Sequence, residues 1–297
     1  DVAPSRGLGD VYKRQLLIFT ISFLTSCTGS HNSPYTDGSG NLPASGVYGA
    51  ILNTGKSDAI ILTVDGETMV IDAGETENGD DVLAHLKSCG IDNIKYFLIT
   101  HFDNDHVGGA AAVVSGTSVK NVIIPDYVRD SKNYNSFMNA LNAKNIEPLT
   151  LKNDINISLG NAVISLYPSK RTEPYTKDED DNAFSIVSIA EYNGVRLLFA
   201  GDAESERIEE LLNSGIELGC DFIKVPHHGK KDGNESLELA EAVSAKYAVI
   251  TDSGGEPASE KVLKAYKDLG TEVFETKNGA VYFKIDDNGP EVIIAET

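Results

Sequence analysis

The chain has 297 residues, enough for one large or two small domains, and 41% of them are hydrophobic, so a substantial core can form. Its 45 acidic and 25 basic residues give a formal net charge of −20 at pH 7. A surface this acidic excludes general electrostatic attraction to nucleic acids, so any polyanionic ligand would have to be held locally.

The first 46 residues are expected to lie outside the folded domain. Residues 1–15 contain no initiator methionine and are expected to be an artefactual N-terminus. Residues 16–27 combine an apolar run of roughly nine residues, too short to span a bilayer, with small residues before Cys27. This order is typical of a lipoprotein signal and predicts lipidation of Cys27 and an extracytoplasmic location, anchored to the bacterial cell membrane or, alternatively, secreted. Residues 28–46, rich in Gly, Ser, Asn and Pro, are predicted to be a flexible linker.

Residues 47–297 are predicted to form one domain, because no linker-like segment interrupts them. In their first half, short apolar runs predict strands and longer amphipathic runs predict helices. Asp65-Gly66 is a hairpin turn signal between the second and third strands. The expected strands are 47–52, 59–64, 68–72, 94–100 and 121–125, and the expected helices are 79–88, 107–114 and 134–144.

The second half repeats this order, with a second hairpin signal at Asn193-Gly194. The expected strands are 155–159, 162–167, 184–191, 195–200, 222–225, 247–251, 272–274 and 280–285, and the expected helices are 203–213, 237–243 and 259–268. Strands followed by helices, twice over, predict an α/β protein in which two mixed β-sheets pack face to face with helices on both outer faces, an αββα sandwich.

The segment 100–109, Thr-His-Phe-Asp-Asn-Asp-His-Val-Gly-Gly, is the most informative part of the chain. It follows an apolar strand and offers two imidazoles and two carboxylates, from His101, Asp103, Asp105 and His106. Side chains on a loop at a strand end can converge on one point. This mixture of donors suits divalent ions such as zinc or manganese.

Three further sites place a metal-ligand type of residue where a buried strand stops. Asp72, Asp202 and the pair His227-His228 each follow such a strand. Each signal is weak alone, but together they predict one metal centre. By contrast, residues 178–181, Asp-Glu-Asp-Asp, are expected to form a solvated turn. Cys89 and Cys220 could pair in an oxidising compartment or remain buried free thiols.

The complete pattern resembles the metallo-β-lactamase superfamily and, within it, the hydrolase domain of ComEC-type competence proteins. The likeness extends over 47–297. Asp103 stands where most members have a second histidine, and Asn182 belongs to an Asn-rich run that replaces a third metal-binding histidine. The positions that carry the resemblance are Asp72, residues 101–106, residues 181–185, Asp202 and residues 226–229.

The resemblance implies the metallo-β-lactamase fold and a centre of two divalent metal ions, Zn or Mn. One ion would be held by Asp105, His106 and one of the two adjacent histidines, of which His227 is favoured while His228 could contact the substrate. The other ion would be held by His101 and Asp103. Asp202 would bridge the two ions, and Asp72 would orient a ligand from behind. Asn182 and Ser185 would lie at the border of the pocket. Lys230 and Lys231 would either bind a substrate phosphate or be solvated.

Two metal ions about 3.5–4 Å apart can activate a shared hydroxide and stabilise charge on the attacked group. We therefore expect a metal-dependent hydrolase, most simply a phosphodiesterase in which Asp105, Asp202, Asn182 and Lys230 act in catalysis. The ComEC resemblance implies a DNA substrate, whereas the net charge and the lack of an aromatic and basic stripe favour a cell-surface phosphodiester polymer. The alternatives are a lactonase or β-lactamase-like hydrolase and a non-catalytic metal-binding surface module. No protein partner is predicted.

Overall fold

The computed structural model describes residues 33–172, 175–176 and 181–295. Cys27, the signal around it and residues 178–180 lie outside the described residues. Within the described ranges, no helix is both long enough and apolar enough to cross a membrane.

The first sheet has eight strands. They are β1 (Val47–Ile51), β2 (Ile60–Val64), β3 (Glu67–Ile71), β4 (Asn93–Leu98), β5 (Ser118–Pro125), β6 (Leu149–Leu151), β14 (Val281–Asp286) and β15 (Gly289–Ile294). Their order is β15-β14-β1-β2-β3-β4-β5-β6. The strands from β3 to β6 run parallel, and the other pairs are antiparallel.

The second sheet has seven strands in the order β13-β12-β11-β10-β9-β8-β7. They are β7 (Ile155–Leu159), β8 (Ala162–Tyr167), β9 (Val187–Tyr192), β10 (Val195–Phe199), β11 (Phe222–Lys224), β12 (Tyr247–Ile250) and β13 (Glu272–Glu275). Here β10 to β13 are parallel, and β7 to β10 are antiparallel. Each sheet is therefore mixed, as the sequence predicted.

Side-chain alternation along the strands divides the core into layers. In β2, Ile60 and Leu62 join a buried cluster shared by both sheets, whereas Ile61 faces the helices on the outside. The helices are α1 (Gly79–Ser88), α2 (Asn104–Val107), α3 (Ala110–Gly116), α4 (Lys132–Ala143), α5 (Ser205–Asn213), α6 (Glu235–Val243) and α7 (Glu260–Asp268). Helices α1, α3 and α4 cover the first sheet, and α5 to α7 cover the second. The αββα sandwich is thus confirmed.

The hairpin turns lie where they were predicted. Asp65 (φ 48°) and Gly66 (φ 80°) connect β2 and β3, and Asn193 (φ 50°) and Gly194 (φ 79°) connect β9 and β10. Two successive positive φ angles are typical of the type I′ turn, which Asn-Gly and Asp-Gly favour.

The predicted helix 107–114 is wrong in its boundaries, since two helices, α2 and α3, occupy 104–116. The chain before α1 approaches the glycines between them. Gly109 N donates to Gly74 O (3.1 Å), and Asp105 O accepts from Asp58 N (3.0 Å). In a continuous helix Gly109 N would donate to Asp105 O. Here each of these two groups is bonded to the chain before α1, so the helix is interrupted.

The predicted strand 184–191 also begins too early. Asn182–Phe184 is a 3₁₀ turn, closed by Phe184 N donating to Asp181 O (2.9 Å), and β9 starts at Val187. Strands β6 and β15, each at an edge of the first sheet, were not predicted.

The structure also describes the two cysteines and part of the predicted linker. Cys89 and Cys220 are buried free thiols, so the disulfide alternative is not realised. Part of the predicted linker contacts the domain, since the Tyr35 ring lies 5.9 Å from the ring of Tyr48.

We expect Gly49→Ala to destabilise the fold by about 1–3 kcal/mol, the usual range for overpacking a core. Gly49 pairs with Phe283 across β1 and β14, and an added Cβ would collide with the Phe283 ring. Urea unfolding measures the change. Gly254→Ala is the matched control, because an added Cβ there meets nothing within 4 Å. Equal stability of the two variants would contradict this account of the packing.

Candidate metal centre

The topology brings the predicted ligands to one edge of the two sheets. Parallel strands β3 and β4 lead into Asp72 and into residues 101–106, while β10 and β11 lead into Asp202 and into residues 226–229. Because the carboxyl ends of neighbouring parallel strands lie together, side chains that are distant in sequence become neighbours.

Four side chains form the first cluster, Asp105, His106, Asp202 and His228, whose ligand atoms all lie within 4.8 Å of one another. Asp202 is at its centre. Its Oδ1 lies 3.2 Å from His106 Nε2, and its Oδ2 lies 3.0 Å from His228 Nε2. Asp105 Oδ2 is 3.4 Å from the same His228 nitrogen. Two imidazoles and two carboxylates thus face one small volume, which is a suitable donor set for a divalent ion.

The imidazoles at this edge are held through Nδ1, which leaves Nε2 directed inward. The Nδ1 partners are Asp72 Oδ2 for His106 (2.7 Å), Thr100 Oγ1 for His101 (3.0 Å) and the Thr251 carbonyl for His228 (3.0 Å). The three Nε2 atoms are buried and form no hydrogen bond within the described part of the chain. An acceptor at Nδ1 selects the tautomer with a free lone pair on Nε2, the form that binds metals. The donor set therefore fits a divalent metal ion.

Asp72 lies behind the ligands and is fully buried. Its Oδ2 contacts His106 and accepts a hydrogen bond from Thr100 Oγ1 (2.7 Å), while its Oδ1 accepts from Thr100 N (2.8 Å). The residue has φ 57°, a left-handed conformation that aspartate tolerates better than most side chains. Its carboxylate fixes the orientation of the His106 ring.

A second cluster adjoins the first and consists of His101, Asp103 and Asp181, with ligand atoms within 4.8 Å of one another. The rings of His101 and His106 are 4.1 Å apart, so the two clusters are neighbours. Asp181 was predicted to lie in a solvated turn, and this prediction was wrong. Its side chain is 1% exposed. Tyr127 Oη and Arg129 Nη1 both donate hydrogen bonds to its carboxylate, which accounts for its burial.

The two histidines after β11 occupy positions opposite to the expected preference. His228 belongs to the first cluster, whereas His227 Nδ1 lies 2.7 Å from Asp232 Oδ2 and 3.0 Å from Glu204 Oε1. Both histidines have positive φ angles, 47° and 52°, which turn the backbone sharply between β11 and Gly229. This turn separates the rings by 6.3 Å, a separation that the sequence pattern alone could not assign.

Asn182, Ser185 and Lys230 surround the two histidines. Asn182 Nδ2 donates to Glu204 Oε1 (2.8 Å), and Lys230 Nζ lies 2.9 Å from His227 Nε2. Ser185 Oγ accepts a hydrogen bond from Asp202 N (3.3 Å). Asn182 and Lys230 are thus grouped with His227 rather than with the first cluster.

Sequence reasoning missed a buried ion pair beneath the first cluster. Lys224 Nζ lies 2.5 Å from Asp58 Oδ2 and 3.8 Å from Asp202 Oδ1, and the side chains of the pair are 0% and 1% exposed. Asp58 Oδ1 also accepts from Thr251 Oγ1 (2.6 Å), which lies 2.9 Å from His228 Nδ1. A single lysine inside the apolar strand β11 was the sequence feature that could have indicated a buried ion pair. Asp58 gave none, because it precedes a strand instead of following one.

Charge is strongly coupled in this buried space. Burial opposes ionisation of Asp202, but His228 and His106 outweigh it and hold the pKa of that carboxyl well below its usual range. The pKa of His106 is raised well above 6.5, because Asp202 and Asp72 outweigh the effect of burial. The pKa of His227 is raised to about 9, since its carboxylate partners also outweigh burial.

The model of the metallo-beta-lactamase superfamily matches residues 52–252, about two thirds of the chain. The chain belongs to this superfamily. It is therefore a hydrolase of a metal-dependent class, and the two His/Asp clusters described above are among its candidate metal sites.

Among curated proteins, the chain is similar to ComE operon protein 3 of Bacillus subtilis (strain 168), with 25% identity over 69% of this chain and 26% of that protein. It is also similar to Recombination protein 2 of Haemophilus influenzae, with 24% identity over 69% of this chain and 24% of that protein. The chain thus spans about a quarter of the length of these relatives.

Among solved structures, the metallo-beta-lactamase fold protein YhfI from Bacillus subtilis aligns with a TM-score of 0.55 and 8% identity. The alignment covers 80% of this chain and 99% of that one. At this identity the likeness concerns the fold alone, which agrees with the αββα sandwich described above.

We expect Lys224→Met to lower the free energy of unfolding of the metal-free protein by about 3–5 kcal/mol, because Asp58 would keep a buried charge without its partner. The double variant Asp58→Asn/Lys224→Met should lose less than the sum of the two single variants. Lys264→Met is the control. Its ion pair with Asp268 is exposed, so its removal should cost under about 1 kcal/mol. Similar losses for both lysine variants in urea unfolding would refute this role.

The raised pKa values of His106 and His228 predict how metal binding depends on pH. Protonation of these rings stabilises the metal-free fold below about pH 6.5, and this contribution is lost as the pH rises through the raised values. A metal ion requires the unprotonated rings, so its affinity increases over the same range. The increase in Tm on adding Zn or Mn should therefore be small near pH 6 and grow as the pH rises above it. Differential scanning fluorimetry measures it, and a shift independent of pH would contradict the prediction.

Proposed function

We propose that the protein is a metal-dependent phosphodiesterase. The observation that carries this proposal is the presence of cationic side chains around the carboxylate-rich centre of a chain with net charge −20. Lys56 Nζ lies 3.6 Å from Asp105 Oδ2, and Lys230 Nζ lies beside His227. Such cations favour an anionic substrate, and bound metal ions assist phosphodiester hydrolysis by stabilising the charge on the attacking and leaving oxygens.

In this proposal, Asp105, His106, Asp202 and His228 would hold one ion, and His101, Asp103 and Asp181 would hold a second. A bound divalent ion supplies a hydroxide nucleophile at neutral pH and stabilises the charge that develops on phosphorus oxygens. The chain's own residues orient and neutralise the substrate. Lys56 and Lys230 supply the positive charge that faces the substrate, whereas any charge on His227 is offset by the carboxylates of Glu204 and Asp232.

We propose that a groove of about 220 Å³ near the second cluster takes part of the substrate. Its wall includes Phe184, whose ring lies 4.6 Å from the ring of Tyr127, the residue that donates to Asp181. Lys152 and Lys170 also line it, but each is paired with an aspartate. Because this pairing interrupts a continuous basic path, a short or wall-bound phosphodiester suits the groove better than long DNA.

We further propose that the protein works outside the cytoplasmic membrane. The sequence signal at Cys27 would attach it to the membrane by a lipid, and a cell-surface polymer carrying phosphodiesters would then be within reach. This part of the proposal rests on the sequence of residues 16–27 alone.

Hydrolysis of an aryl phosphodiester, such as bis(nitrophenyl) phosphate, with Zn or Mn tests the activity. We expect turnover that falls by about 10–100-fold or more in Asp202→Asn, because the carboxylate between His106 and His228 loses its charge. Turnover of lactones or β-lactams, with none of any phosphodiester by the metal-loaded protein, would overturn the proposal.

The cations can be tested separately from the metal ligands. Lys56→Met should raise KM for the phosphodiester by about tenfold and leave the metal content unchanged, because the lysine contacts Asp105 only at 3.6 Å. Lys264→Met, on the exposed face of α7, is the control and should change neither. An unchanged KM in Lys56→Met would remove the main support for an anionic substrate.

The two adjacent histidines should differ in metal binding. His228→Ala removes an Nε2 donor from the first cluster and should lower the affinity for the metal by about 10–100-fold. His227→Ala should leave that affinity nearly unchanged, since its imidazole contacts Glu204 and Asp232 instead. Metal content is measured for both variants by inductively coupled plasma mass spectrometry. A larger loss of metal in His227→Ala than in His228→Ala would identify His227 as the ligand, as the sequence analysis favoured.

A further inference from the structure

The second cluster already contains a positive charge. Arg129 Nη1 donates hydrogen bonds to Asp103 Oδ1 and to Asp181 Oδ1, so one guanidinium nitrogen joins both carboxylates. His101 Nε2 lies 3.7 Å from the other oxygen of Asp103 and has no hydrogen-bond partner among the described residues. The arginine therefore uses the carboxylates that a second metal ion would need, while the imidazole nitrogen remains available.

An ion and the guanidinium compete in this space. Two carboxylates and one neutral imidazole balance the charge of one divalent ion, so a retained arginine would add an uncompensated positive charge beside it. Asp181 cannot turn toward solvent, since its side chain is 1% exposed and Tyr127 Oη also donates to it. The arginine, not the carboxylate, is the group that has room to leave.

The position of Arg129 in the chain allows this movement. It lies in the connection between β5 and α4, next to Val128, which is 71% exposed, and its own side chain is 26% exposed. The first cluster differs in this respect. Its buried cation, Lys224, is 0% exposed inside β11 and is paired with Asp58, while Lys56 lies 3.6 Å from Asp105. Neither joins two carboxylates of the cluster as Arg129 does.

We propose that Arg129 is a built-in competitor of the second metal ion. The first cluster binds one divalent ion tightly, and the second cluster binds an ion only when Arg129 withdraws from Asp103 and Asp181. The protein then holds one ion at low free metal concentration and two at high concentration. The inference concerns metal binding and does not depend on which substrate is cleaved.

The test is the number of bound ions as a function of free Mn or Zn, measured by mass spectrometry of the metal after equilibration in metal buffers. For the purified chain we expect one tight ion and a second at least about tenfold weaker. In Arg129→Met the second ion should bind at least about tenfold more tightly. Adding Asp181→Asn to Arg129→Met should abolish that gain, which would locate the second ion in this cluster.

Arg196→Met is the matched control. Arg196 is comparably exposed, at 21%, and donates to the carbonyls of Gly219 and Glu217 at the end of β10 remote from Asp202. Its loss should leave both affinities unchanged, and thermal unfolding checks that every variant is folded.

Three outcomes would overturn the proposal. They are two ions of similar affinity in both the unaltered chain and Arg129→Met, a single ion in Arg129→Met at all metal concentrations, and a gained ion that persists after Asp181→Asn. None of these outcomes concerns hydrolysis, so the proposed activity is tested separately by the phosphodiester assay.

Discussion

Buried negative charge at the shared edge of the two sheets is the constraint on which the rest of the structure depends. Asp58, Asp72, Asp181 and Asp202 are each no more than 3% exposed, and charges so placed need partners. The protein supplies these partners from neighbouring strands and loops. They include the imidazole rings of both clusters, the buried Lys224 and the Arg129 side chain. The polar edge is thus a network in which removal of one charge leaves others unpaired.

The two clusters differ in how their charge is balanced. In the first, a lysine buried within a strand is paired with Asp58 and lies 3.8 Å from Asp202, so its charge is held in place by the fold. In the second, the counter-charge comes from an arginine on a half-exposed connection. Because a fixed charge and a movable one respond differently to a metal ion, adjacent sites of similar composition acquire different affinities. This difference connects the packing of the fold to the metal occupancy of the centre.

The adjacent histidines illustrate how local backbone geometry assigns function. Both follow the same strand and both are buried, yet successive positive φ angles direct one ring to Asp202 and the other to Glu204 and Asp232. Gly229 follows with φ 71°, where an added Cβ would lie 2.9 Å from Ala258 Cβ. A tight turn of this kind places a potential metal ligand and a carboxylate-paired imidazole side by side without placing them in the same site.

The sequence by itself determined the layered fold and its two hairpin turns, and it singled out seven ligand-type residues in 101–106, at Asp202 and in the histidine pair. Apolar periodicity, turn residues and strand-end ligands are all local signals. The tertiary structure alone decided which histidine joins Asp202, and that Asp181 is buried instead of solvated. It also revealed Asp58, Lys224 and Arg129. These residues come from a strand start, a strand interior and a loop, and only the pairing of distant strands brings their charges together. Contacts between residues so far apart in the chain have no local sequence signal, and therefore they could not be predicted.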